Sequence, residues 1–153
     1  MHRYLNLKHN SSWLWHFNTH KVKGYNIPYQ YELMAKIYFN SRDELIVVDF
    51  ERVAVIQANG NYTRVVYINK HEVMLSMGIT KVSEIIHKHE LPTVRFIRIG
   101  RSCIINHAFL ERIDIARQLI VLTDGNGHEI RLNVSKQILK SYKASVVNVK
   151  NNS

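Results

Sequence analysis

Three short polar clusters carry the side chains best suited to chemistry in this sequence. They are Asn59-Gly60-Asn61-Tyr62 with Arg64, then Arg98-Ile99-Gly100-Arg101-Ser102, and finally Ser135-Lys136. Arginine forks suit guanine edges and phosphates, lysine suits phosphates or guanine, and Asn or Tyr add hydrogen bonds. Catalytic motifs are missing from the chain. It has no phosphate-binding glycine loop, no strand-turn-helix serine motif and no metalloprotease helix signature. We therefore expect a binding protein and not an enzyme, with no cofactor. Histidine occurs in two closely spaced sets, His16 with His20 and His87 with His89. A spacing of four puts two ligands on one helical face, but the first set shows no helical period and no cysteine lies near. These histidines are read as arm or surface residues, and no metal is expected. Cys103, the single cysteine, would be a reactive thiol if arginines lowered its pKa. In an apolar strand it reads instead as a small buried group.

The elements that must hold these clusters are mostly strands. The hydrophobic run from Leu33 to Phe39 and the run Leu45 to Asp49, joined across 40–44, read as a hairpin. Val53 to Ala58 is apolar and β-branched. A turn at Asn59-Gly60-Asn61, where glycine permits positive φ, leads to Tyr62–Ile68, a strand with apolar bulk on both faces. After a turn at 69–71 comes a strand at 72–77. Thr80 is expected to cap a helix whose stripe is Val82, Ile85, Ile86 and His89, closed by Leu91-Pro92. Phe96–Ile99 and Cys103–Ile105 are short strands around the second cluster. Ile113–Ile115 and Leu119–Thr123 are strand candidates, and Asp124-Gly125-Asn126-Gly127 is a hairpin turn into Glu129–Val134. Ser135 then stands as the cap of a last helix burying Ile138, Leu139, Tyr142 and Val146, with Lys136, Lys140 and Lys143 outward. Links this short allow antiparallel pairing only. The fold expected is mainly β, antiparallel, with two short helices.

Charge is unevenly distributed along the 153 residues, whose formal net charge is +9. Residues 1–31 hold four Lys/Arg and no acid, residues 32–90 hold seven bases against eight acids, and residues 91–153 hold ten bases against four acids. Clustered cations release the condensed counterions of a polyanion, which makes nucleic acid the first partner to consider. No run approaches the roughly 18 to 20 apolar residues of a membrane helix, and the N-terminus lacks a signal-peptide core. A cytoplasmic protein without a membrane partner is expected. Residues 1–31 stand apart, with Trp13, Trp15 and Phe17 grouped and no sustained period, and read as an arm that docks on the domain or on a second subunit.

Three blocks stand in order along the chain: VAVIQANGNYTRVVYI (53–68), FIRIGRSCIINHAFLERI (96–113) and DGNGHEIRLNVSKQILKSY (124–142). They are similar to the first, second and third signatures of the LytTR family of bacterial DNA-binding output domains, which the chain thereby resembles. The resemblance implies an elongated antiparallel β fold whose loops enter successive major grooves of double-stranded DNA. It further implies binding as a homodimer or paired monomers on repeated promoter sites, in a two-component transcription-regulation setting. By matching position, Tyr62, Arg101 and Lys136 are implied as base or phosphate contacts, with Asn61, Arg98 and Ser102 in support; Arg64 joins them as part of the first cluster. Asn106 is read as closing a turn. Two departures stand out: many members carry His where this chain has Gly100, and lysine replaces the commoner arginine at Lys136. The organisation expected is an arm over 1–31, the DNA-binding domain over 32–147 and a tail over 148–153. The 31 residues ahead of the domain are far fewer than the roughly 100 of a receiver fold, so the activating signal is expected from a separate protein. The competing reading is a protein-interaction module that keeps the fold with little specific DNA binding.

Overall fold

A computed structural model describes residues 35–89 and 95–151. Strands β1 (Lys36–Asn40) and β2 (Leu45–Asp49) form the expected hairpin, in register from Lys36↔Asp49 to Asn40↔Leu45. Ser41 closes it, with its Oγ accepting from Glu44 N at 3.2 Å and its backbone N–H donating to Glu44 O at 2.9 Å. Period-two alternation sends Ile37, Phe39 and Val48 inward, and Phe50 follows them into the core.

Next come β3 (Val53–Asn59), β4 (Tyr62–Tyr67) and β5 (Glu72–Leu75), then helix α1 (Ile79–His89), β6 (Phe96–Arg98) and β7 (Cys103–Asn106). These five strands make one antiparallel sheet in the order β5-β4-β3-β7-β6. A bulge between Val53 and Val55 in β3 turns Val53 to one face and Val55 to the other. The chain then builds a second, three-stranded sheet, β10-β9-β8, from β8 (Leu110–Asp114), β9 (Leu119–Thr123) and β10 (Glu129–Asn133). Helix α2 (Lys136–Asn151) ends the described chain.

The central sheet is covered on both sides. One face packs Ile56, Val65, Tyr67, Leu75 and Ile104 against the β1–β2 hairpin and α1. The other packs Val55, Val66 and Ile105 against Ile120 and Leu122 of β9 and Leu139 and Tyr142 of α2. Two-sided burial is why β3 and β4 read as apolar on both faces instead of alternating cleanly.

Several boundaries differ from the expectation. Helix α1 starts ahead of Thr80, which lies inside its first turn. Gly78 takes the cap position, its carbonyl accepting from Val82 N at 3.2 Å. Starting there lets Ile79 join Val82 and Ile86 in the buried stripe. Strand β5 stops at Leu75, and the Met77 carbonyl instead accepts from Thr63 Oγ1 at 2.7 Å. Strand β8 begins at Leu110, because a 3-10 turn over His107–Phe109 delivers Leu110 opposite Leu122. Ile115 falls in the following turn. Helix α2 runs to Asn151, since neither Gly nor Pro interrupts it. Leu33 and Leu91-Pro92 lie outside the described residues, as does the arm over 1–31 with His16 and His20.

Candidate nucleic-acid interface

The β3–β4 connection is a two-residue loop, Gly60-Asn61, between the paired Asn59 and Tyr62. Gly60 has φ +61°, the left-handed value a tight hairpin asks of its first loop residue. Asn61 is exposed and Tyr62 half exposed at 51%. The strand beneath is anchored by Thr63, fully buried and bonded to Met77 O. A loop presented this way is held at its base and free at its tip.

The β6–β7 loop lies beside it. Gln57 pairs with Cys103, and Ala58 N donates to Ser102 O at 2.8 Å, which ties this loop to the end of β3. Within the loop Ile99 N donates to Cys103 O at 2.8 Å. Arg98 Nη2 donates to the Arg101 carbonyl at 2.7 Å, so Arg98 braces the loop while the Arg101 side chain stays exposed. Gly100 has φ +73°, and a Cβ there would sit 3.1 Å from Ile138 Cδ1. The second loop is thereby pressed against the first turn of α2. Gly100→Ala should lower the unfolding free energy by about 1 to 2 kcal/mol, the cost of holding an L-residue at this φ; a urea titration measures it.

The third cluster arrives through β10. Val134 N donates to Gln118 O at 2.9 Å, and the Ser135 carbonyl accepts from Leu139 N at 3.0 Å, so Ser135 occupies the cap position expected for it. Lys136 opens the helix and is exposed. Between this junction and the central sheet runs an open cleft of about 610 Å³, lined among others by Asn59, Arg64, Ser102, Arg131, Asn133 and Ser135. Residues from all three clusters therefore border one cleft, although Ser102 and Ser135 stand 33 positions apart in the chain.

The placement of the individual candidates differs. Asn61, Tyr62, Arg101, Ser102 and Lys136 are exposed; Ser102 lines the cleft, and Arg101 and Lys136 adjoin the lining residues Ser102 and Ser135 in the chain. Arg64 lies on the sheet face, bonded to Gln57 Oε1 and 3.6 Å from Glu72. Arg131 and Asn133, on the β10 wall of the cleft, escaped the sequence reading as site residues. Strand alternation would have placed them on one face, but not opposite Arg64. Glu129 holds Arg131. Among the described residues, no carboxylate pairs with Arg101 or Lys136. The arginines lining the cleft are thus paired with acids, whereas Arg101 and Lys136 add exposed, unpaired charge beside it.

Asn106 has the structural role expected of it. It is fully buried, donates from Nδ2 to Val53 O at 2.9 Å and accepts from Ala108 N at 3.0 Å. Cys103 is half-buried, and burial pushes its thiol up to about 11, the direction that disfavours the nucleophilic thiolate. Among the described residues no three His, Cys, Asp or Glu side chains cluster as metal ligands, and no helix is long and apolar enough to cross a membrane.

Comparison with known proteins adds three findings. A solved LytTr DNA-binding domain from Bacillus cereus is similar to the chain at 20% identity, covering 72% of this chain and 94% of that one, with a TM-score of 0.49. No curated protein matches. The model of the family described as LytTr DNA-binding domain matches residues 43–146, more than half of the sequence. The chain therefore belongs to the LytTr DNA-binding domain family.

Proposed function

We propose that this protein is a cytoplasmic, sequence-specific transcriptional regulator that reads repeated promoter elements in double-stranded DNA. The β3–β4 loop, the β6–β7 loop and the first turn of α2 enter the major groove. The observation that carries this reading is the convergence of three distant segments on one cleft, beside which Arg101 and Lys136 are exposed with no carboxylate partner among the described residues. Loops are rigidly based here and polar at their tips, which is what base readout requires: fixed positioning with free donors and acceptors. Tyr62, Arg101 and Lys136 are the principal contacts. Asn61 and Ser102 add hydrogen bonds at the loop tips. Arg98 acts by bracing the loop that presents Arg101, and Arg64 by its charge on the cleft wall. Repeated sites would be filled by two copies, and the signal would come from a separate protein.

Selection from random duplexes at physiological salt tests the reading. A repeated motif should emerge, and log affinity for it should fall linearly with log salt, with a slope of about −0.9 per phosphate contacted. Recovery of unselected sequence, with binding equal on all duplexes, would overturn base readout and leave a charge-driven association.

A further inference from the structure

Helix α2 carries a charge pattern that begins at Lys136 and extends beyond the three-loop rim. Lys136, Lys140 and Lys143 are all exposed, and at about 100° per residue they fall within about 60° of arc. They span about 10 Å along the helix. The 16 residues of the helix contain no Asp or Glu, and the last acid in the chain is Glu129.

Within the isolated chain this arrangement is unfavourable. Lys136 stands at the positive end of the helix dipole, where a carboxylate would be stabilising and a cation is not. Lys140 and Lys143 follow at spacings of four and three, where like charges repel and a glutamate would attract. Surface helices that are merely solvated commonly interleave both signs. Here nothing in the helix offsets the repulsion, and nothing among the described residues pairs with these lysines. The arrangement becomes favourable next to a regular polyanion.

We propose that Lys140 and Lys143 continue the interface along α2 as contacts to the phosphate backbone flanking the groove that Lys136 enters. The inference rests on the DNA-reading function above and adds a second, sequence-independent contact line to it. The two parts have separable roles: the rim discriminates sequence, and the helix flank supplies uniform affinity and orients the domain on the duplex.

The test uses the full chain with Lys140→Gln and Lys143→Gln together, titrated over a range of salt on a selected duplex and on its scrambled version. The slope of log affinity against log salt should become shallower by about 1.8. Affinity should fall by the same factor on both duplexes, with thermal stability equal to or above that of the parent. Parental slopes on both duplexes would overturn the inference, as would a loss confined to the selected duplex, which assigns the lysines to base reading. Failure of the underlying reading is seen separately, in a parent protein that does not distinguish the two duplexes.

Discussion

Arg101→Ala is expected to weaken binding to a selected site by about 1 to 3 kcal/mol, roughly a 5- to 150-fold rise in Kd. The substitution is clean for a structural reason. Arg98 is held by the backbone carbonyl of Arg101 and not by its side chain, so the brace across the β6–β7 loop survives truncation. The Arg101 side chain is exposed and makes no ion pair among the described residues, and removing such a group changes stability by about 0.5 kcal/mol or less. Binding titrations on selected and scrambled duplexes separate two roles. A loss confined to the selected duplex identifies base reading, because the scrambled one offers no matched edge. An equal loss on both makes Arg101 a phosphate contact. Unchanged affinity removes it from the interface.

Phe50→Ala is expected to lower the unfolding free energy by about 3 to 5 kcal/mol. Phe50 is fully buried, with ring centroids 6.4 Å from Phe39 and 5.5 Å, edge-on, from Phe96. It links the β1–β2 hairpin to the edge strand β6. Truncation removes a large apolar surface and opens a cavity that three separate elements would have to move to fill. Native domains are stable by about 5 to 15 kcal/mol in total, so this one change consumes a large fraction. The site should feel it little. Phe50 belongs to the core under the hairpin and α1, whereas α2 packs on the opposite face of the central sheet. Chemical denaturation gives the first quantity, and DNA titration well below the midpoint gives the second. A loss under about 1 kcal/mol would show that the site closes around the smaller side chain. A large fall in the affinity of the folded protein would show that the two cores are mechanically coupled.

Much of the fold could be read from local pattern. The hairpin turns at 59–61 and 124–127 and the alternating runs around them fall where the strands do, because a strand's period of two and a turn's demand for glycine or Asn are short-range constraints. Boundaries failed where a distant partner decided them. Ile79 begins α1 because the core needs its side chain, and β8 starts at Leu110 because β9 stands opposite. A local rule saw neither partner.

For the three clusters the division is similar. Residue types alone marked Tyr62, Arg101, Ser102 and Lys136 as polar groups at element ends, and that marking needed no partner. Their convergence did. It depends on β7 pairing antiparallel with β3, which carries Ser102 to Ala58, and on Gly100 lying against Ile138, which brings in α2. The same tertiary contacts assigned Arg98 to a loop brace and Arg64 to a bond with Gln57 and an ion pair with Glu72. They also placed Arg131 and Asn133 in the cleft. The sequence by itself determined which groups could meet a polyanion and on what kind of element each would ride. Only the tertiary structure decided which of them share a surface, because sheet register and helix docking act between residues tens of positions apart, where composition and periodicity carry no information.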